Sequence, residues 1–261
     1  MNDQQRELLW CLCGPDLLAP HPVPLAELDE WLQRCPAEAI AGHFASLPQR
    51  IGRRFERHWS WAMAQLPGWT VHAADRQIQI AGRTLGAPDL LLSGKGETWH
   101  IELAVKFYLC HPARDGLQAS DWLGPGTNDR LDRKLHRVHT HQLHLLQRPD
   151  VQQWLREQRL PLPTRYAAIL KGVLFQNWKQ PQRTPGEIQP AGRWCHLDDL
   201  PEALTSAQLL RRGQWLGGHG DCRLLSEQSL YSAVAEHLQH TGSAQLSSQN
   251  VRWFVVPNQW P

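Results

Sequence analysis

Cysteine is scarce in this chain: Cys11, Cys13, Cys35, Cys110, Cys195 and Cys222 are scattered over 261 positions. That is too thin a framework to staple a fold, and without a secretory signal they read as reduced thiols. No stretch reaches the roughly 20 apolar residues that a membrane helix needs. Met1 to Trp10 carries acids and amides instead of an uninterrupted apolar segment, so the expectation is a cytoplasmic protein with no membrane partner. An excess of one charge is missing too. Lys plus Arg is 27 and Asp plus Glu is 25, a formal net charge of +2, so nucleic-acid contact has to come from local basic patches. Glycine and proline stand at 19 each, which excludes collagen-like and disordered chains. What remains is 41% hydrophobic and 20% charged, the composition of one globular domain with an elaborate periphery. The 13 tryptophans outnumber the 3 tyrosines and supply large apolar anchors.

The first forty residues hold short apolar segments broken by Pro15, Pro20, Pro22, Pro24 and Pro36, with Leu25 to Gln33 the best helix among them. Residues 1–42 are therefore expected to form a helical cap. From His43 to Leu66 the apolar residues Ile51, Phe55, Trp59, Ala62, Met63 and Leu66 recur at helical spacing until Pro67 and Gly68 stop the helix. Three strand-like runs follow, Thr70 to Ile80, Asp89 to Leu92 and Trp99 to Leu109, with Gly94-Lys95-Gly96 as a hairpin turn. A helix from about Asn128 buries Leu131, Leu135, Val138 and Leu145, and beside this stripe runs a basic one, Arg130, Arg133, Lys134 and Arg137. Tyr166 to Phe175 reads as an interior strand. Residues 43–178 thus read as an α/β core. Residues 179–261 read as peripheral α+β additions: short segments at Trp194 to Leu200 and Cys222 to Leu225, a helix from Ser226 to Gln239 and a strand at Val251 to Val256. All three regions are read as parts of a single domain.

The chemistry is concentrated between Gly86 and Lys106. Asp89 opens one strand, and Glu102 and Lys106 lie inside the next. A charge within an apolar strand is costly unless paired, hydrogen-bonded or coordinated. Alternation puts His100, Glu102, Ala104 and Lys106 on one face and Ile101, Leu103, Val105 and Phe107 on the other. Carboxylates from adjacent strands can converge on a hard divalent cation, and a lysine nearby can stabilise phosphodiester charge or orient water. The competing reading is a structural Glu102–Lys106 ion pair with Asp89 capping a turn. Spacing alone favours that second reading.

The order of a helix with Glu, Pro88-Asp89 on a strand, Glu102 with a downstream lysine on the next, and then a basic helix resembles the PD-(D/E)XK nuclease superfamily. That resemblance implies a restriction-endonuclease-like mixed sheet flanked by helices, with an α-β-β-β-α-β core. A closer resemblance, to the uncharacterised bacterial DUF1853 family, is carried by Ile51 to Glu56, Gly82 to Gly86, Glu102 to Leu109, Asp129 to Lys134, Leu170-Lys171-Gly172 and Val255-Val256-Pro257. The resemblance implies Asp89 and Glu102 as ligands of Mg²⁺ or Mn²⁺, Lys106 as the lysine and Glu56 as the acid from the first helix. Gln142, on the apolar stripe of the second helix, is a further candidate catalytic residue, or else a core amide bonded to backbone. Glu56 could instead be an exposed partner of Arg53 or Arg57.

Two departures from the family patterns stand out. The superfamily lysine comes two residues after the glutamate, where this chain has Ala104, and Lys106 lies roughly 6.6 Å further along at about 3.3 Å per residue. A flexible stem reaching back, or Lys134 from the second helix, would have to compensate. The closer family also carries an acid directly after the glycine, where Ala87 stands here.

The basic stripe Arg130, Arg133, Lys134 and Arg137, with Arg50, Arg53, Arg54 and Arg57 near the first helix, is a candidate phosphate-contacting surface, partly offset by Asp129 and Asp132. Zinc sets at His136, His139, His141 and His144, or at Cys195, His196, His219 and Cys222, lack the usual ligand context. Gly217 to Gly220 reads as a turn, since it lacks the ending of a phosphate loop. The leading expectation is a metal-dependent nuclease acting on DNA or RNA. Its rivals are a nuclease-fold protein that binds nucleic acid without cutting it, and a protein-interaction scaffold built on the tryptophan-rich periphery.

Overall fold

The structure, a computed structural model, describes residues 1–18, 23, 25–180, 191–217 and 223–261. The chain is a mixed α/β protein divided into two compact units. The N-terminal unit is Leu8–Val105 with Leu135–Lys171, and the C-terminal unit is Met1–Glu7, Lys106–Lys134 and Gly172–Pro261. None of the described helices is long and apolar enough to cross a membrane.

In the N-terminal unit the cap is helical as expected: α1 (Asp3–Cys13, shared with the other unit), α2 (Leu25–Arg34) and α3 (Ala37–Phe44). Leu8, Leu32 and Ile40 form their core, with Trp31 and Trp61 against it. The long helix expected from His43 is in fact interrupted. Helix α3 ends at Phe44 and α4 runs only over Ile51–Gln65, because Pro48 between them has no N–H to donate and disfavours a helical residue before it. Helix α4 buries Phe55, His58, Trp59, Ala62 and Met63.

The run Thr70 to Ile80 is also two elements, β1 (Trp69–Ala74) and β2 (Ile78–Ile80). Asp75 between them adopts φ 48°, a left-handed turn that ends the extended chain. Strand β2 pairs with β3 (Arg83–Gly86) in a small separate hairpin. Strands β4 (Leu90–Gly94) and β5 (Glu97–Cys110) then form the expected hairpin. Gly94 pairs with Glu97 across a two-residue turn in which Lys95 and Gly96 both have positive φ, 55° and 80°. Within this unit the order is β1-β4-β5, all antiparallel.

The second helix is shorter and less regular than expected. Helix α5 covers Leu131–Arg137, passes into a π turn at Val138–Gln142, and is followed by α6 (Pro149–Glu157). Helix α6 packs Val151 and Leu155 onto Ala73, Ile78 and Leu91. The apolar run at Tyr166 is strand β7 (Arg165–Asn177), which passes through both units.

The C-terminal unit contains β6 (Trp122–Leu123), β8 (Gly192–His196), α7 (Leu200–Ala203), β9 (Ser206–Leu210), β10 (Leu224–Ser226), α8 (Glu227–Thr241), β11 (Ala244–Ser248) and β12 (Val251–Val256). Strands β7, β8 and β12 are parallel, and β12-β11-β9-β10 continue antiparallel. Helix α8 covers this sheet, with Leu230 and Val234 packed among Leu200, Leu246 and Val255. The segment expected at Cys222 to Leu225 is described only from Arg223 onward.

Lysine 171 on β7 is fully buried, and its Nζ donates to the Gly14 carbonyl at 2.8 Å and to Asp16 Oδ2 at 2.9 Å. This ties the end of α1 to the sheet. Removing one member of such a pair strands the other. The variant Lys171→Met is therefore expected to lose about 3–5 kcal/mol in urea denaturation, and the double variant Lys171→Met/Asp16→Leu to recover part of that loss.

Candidate functional site: two carboxylates across a hairpin

The β4–β5 register explains why two acids meet. Leu90 lies opposite Ile101, and one further step of the same register sets Asp89 opposite Glu102, on the same face of the hairpin. Asp89 does not cap the turn after Gly86. Its Oδ2 reaches across to accept the Leu103 N–H at 2.7 Å. Glu102 is 4% exposed and His100 is fully buried, so the polar face expected of β5 is closed to water at these positions.

Each Glu102 oxygen has its own donor. His100 Nε2 lies 2.8 Å from Oε1, and Gln142 Nε2 donates to Oε2 at 2.6 Å. Gln142 thus spends its side-chain N–H on a carboxylate. It is delivered by the π turn, a deviation common at functional positions in helices. His100 Nδ1 is buried with no hydrogen-bond partner among the described residues, so the ring proton belongs on Nε2, facing Glu102. No role was expected for His100. Its position two residues before Glu102 on one strand is the signal that could have found it.

Burial pushes the Asp89 carboxyl up to about 8, the charge of Glu102 adds to this, the Leu103 N–H opposes it, and Glu56 and a hydrogen bond with Glu102 raise it further. Asp89 therefore keeps its proton to higher pH than an exposed carboxyl does, beside the charge of Glu102. Glu56 on α4 is half withdrawn from water and its acidity is weakened by burial. Arg53 at 3.0 Å works against that shift, while the charges of Asp75 and Glu102 reinforce it. Glu56 is half-buried and pairs with Arg53, and its charge adds to the rise at Asp89.

Other expected residues lie elsewhere. Lys106 belongs to the C-terminal unit, where it pairs with Asp129 at 2.5 Å instead of with Glu102. Arg130 is held by Asp132 through Nε and Nη2, at 2.5 and 2.7 Å. Arg133 and Arg137 are exposed. Arg54 lies over the Phe44 ring. His136, His139, His141 and His144 all point to solvent. Cys195 is buried in the apolar core under α8, where its thiol is pushed up to about 12 by burial. His219, Cys222 and most of the Gly217 to Gly220 turn lie outside the described residues. Among the described residues no group of three or more His, Cys, Asp or Glu side chains is placed to hold a metal. The Asp89–Glu102 pair still suits a hard divalent cation: two adjacent acids have no cation between them, and Mg²⁺ keeps water in its remaining positions.

A family described as "Domain of unknown function (DUF1853)" matches residues 6–254. No curated protein and no solved structure matches the chain.

Because Asp89 holds a proton in the folded state that an unfolded carboxyl releases near 3.8, stability falls as pH rises from about 4 to about 8. With EDTA present, Asp89→Asn is expected to leave the Tm nearly unchanged at pH 4. At pH 9 it should raise it, by about 2–4 °C for each kcal/mol relieved. Equal Tm values for the two proteins at pH 9 would refute the raised Asp89 carboxyl.

Proposed function

The chain belongs to the DUF1853 family, and on that premise we propose a metal-dependent phosphodiesterase of the PD-(D/E)XK kind, acting on nucleic acid with Mg²⁺ or Mn²⁺. The observation that carries this reading is the placing of Asp89 opposite the buried Glu102, on the two arms of one hairpin, with the Asp89 carboxyl pushed up by that neighbourhood. Structural acids are usually paired with cations. Two acids facing each other instead, with a third carboxyl biasing them, suit a site that exchanges its proton for a cation.

Asp89 and Glu102 would hold the ion, and Glu56 would add negative field from α4. A divalent cation bound there supplies charge stabilisation at a phosphoryl oxygen and acidifies water. His100 and Gln142 keep Glu102 turned toward Asp89. The sequence order α4, β1, β4, β5, α5, β7 fits a restriction-endonuclease-like core with the β2–β3 hairpin inserted. Arg133 and Arg137, exposed near α5, are candidates for phosphate contact. Arg130 and Lys134 belong to the same stripe, with Arg130 less available because Asp132 holds it.

A second reading is favoured by one observation. Lys106 is taken by Asp129, and both lysines of the N-terminal unit, Lys95 and Lys171, are paired with Glu27 and Asp16. Without a lysine, the same site would bind nucleic acid without cutting it.

The deciding experiment is cleavage of labelled single- and double-stranded DNA and RNA with Mg²⁺ or Mn²⁺, beside calorimetric Mn²⁺ titration. The nuclease reading expects cutting that EDTA and Glu102→Ala abolish. It also expects Mn²⁺ affinity that rises about tenfold per pH unit up to about pH 8 and falls about 10–100-fold in Gln142→Leu. Retention of oligonucleotides without cutting moves the assignment to the non-catalytic binder. Absence of Mn²⁺ binding removes the metal site.

A further inference from the structure

We propose that the cavity beside Asp89 is a phosphate subsite for single-stranded nucleic acid, with the Arg57 guanidinium as its anion contact; this rests on the phosphodiesterase reading of the same site. The cavity has a volume of about 470 Å³ and shares Asp89 with the carboxylate pair. That is the scale of a site for one small ligand, hence for a single nucleotide unit and not a duplex.

One wall of the cavity is α4, which contributes Arg53, Glu56, Arg57 and Ser60. Arg53 is already neutralised, by Glu56 at 3.0 Å and by Asp75 at 2.7 Å. Ser46 and Ser60, also in the lining, donate their hydroxyl protons to the backbone carbonyls of His43 and Arg57, at 3.3 and 3.2 Å. They are left with acceptor lone pairs that cannot bind an anion. Arg57, one helical turn beyond Arg53, is exposed and has no ion-pair partner among the described residues.

An anion entering this acid-lined cavity can therefore pair with Arg57 without breaking an existing ion pair. The guanidinium fork matches two phosphate oxygens at once. A strand held by one phosphate at Arg57 shares its cavity with Asp89. A formal net charge of only +2 gives little of the distributed positive charge that binds a duplex non-specifically.

The test uses the full-length chain with Mn²⁺ and a short labelled oligodeoxynucleotide, single-stranded or annealed, titrated over a series of KCl concentrations. Arg57→Gln is expected to weaken single-strand binding about tenfold and to flatten the slope of log K against log salt by about 0.7, one phosphate contact on a single strand. Arg57→Lys should keep the slope with a smaller loss. Arg34→Gln on α2, an exposed arginine paired with Glu30, should change neither. Wild-type protein should bind the strand more tightly than the duplex. An unchanged slope in Arg57→Gln, or equal affinity for strand and duplex, overturns the subsite while the metal site stands on its own calorimetry. If the wild type binds Mn²⁺ but retains neither oligonucleotide, both the subsite and the nucleic-acid reading are overturned.

Discussion

Burying the Glu102 carboxylate in the middle of a strand, at 4% exposure, imposes the constraint around which the N-terminal unit is arranged. An ion removed from water must recover its lost hydration from fixed donors or change its protonation. Here the compensation comes from three directions: from His100 on the same strand, from Gln142 on a π turn, and from a protonated Asp89 across the hairpin. Each requires a particular backbone feature. The tight Lys95-Gly96 turn sets the register, the π turn aims the amide, and α4 brings Glu56 within electrostatic range of Asp89.

The remaining charges of this unit are disposed so that they do not quench the acid pair. Lysine 171 is buried against Asp16 and Gly14, Lys95 holds Glu27, and Arg53 bridges Glu56 and Asp75. A structural ion pair would have put one of these cations against Glu102. Their engagement elsewhere leaves Asp89 facing the charge of Glu102 with its carboxyl pushed up, an arrangement that costs stability above neutral pH.

The tryptophans have a structural explanation in both units. Trp59, Trp122, Trp194 and Trp260 are buried, and each donates its indole N–H to a backbone carbonyl, those of Cys11, Gly116, Cys110 and Pro125. Each side chain thus fills core volume and pins a distant or irregular segment by one directed bond. That use turns these rings inward, away from the surface role that a tryptophan-rich interaction scaffold requires.

Much of this was legible in the linear chain. The period of α4, the alternation of β5 and the strand at Val251–Val256 follow from patterns that burial enforces locally. The two-residue turn also carries more than a hairpin: counting back from Gly94 opposite Glu97 pairs Asp89 with Glu102 before any coordinates exist. Tertiary structure alone decided the rest. The π turn carries Gln142 to Glu102, and nothing in Val138 to Gln142 announces it. The protonation of Asp89 depends on burial and on Glu102 and Glu56, acids far apart in sequence. Alternation assigned Lys106 to the face of Glu102, yet its partner, Asp129, comes from a loop that no spacing rule connects to it. Local pattern determines which side chains face inward, whereas long-range packing determines which of them meet and what charge they then carry.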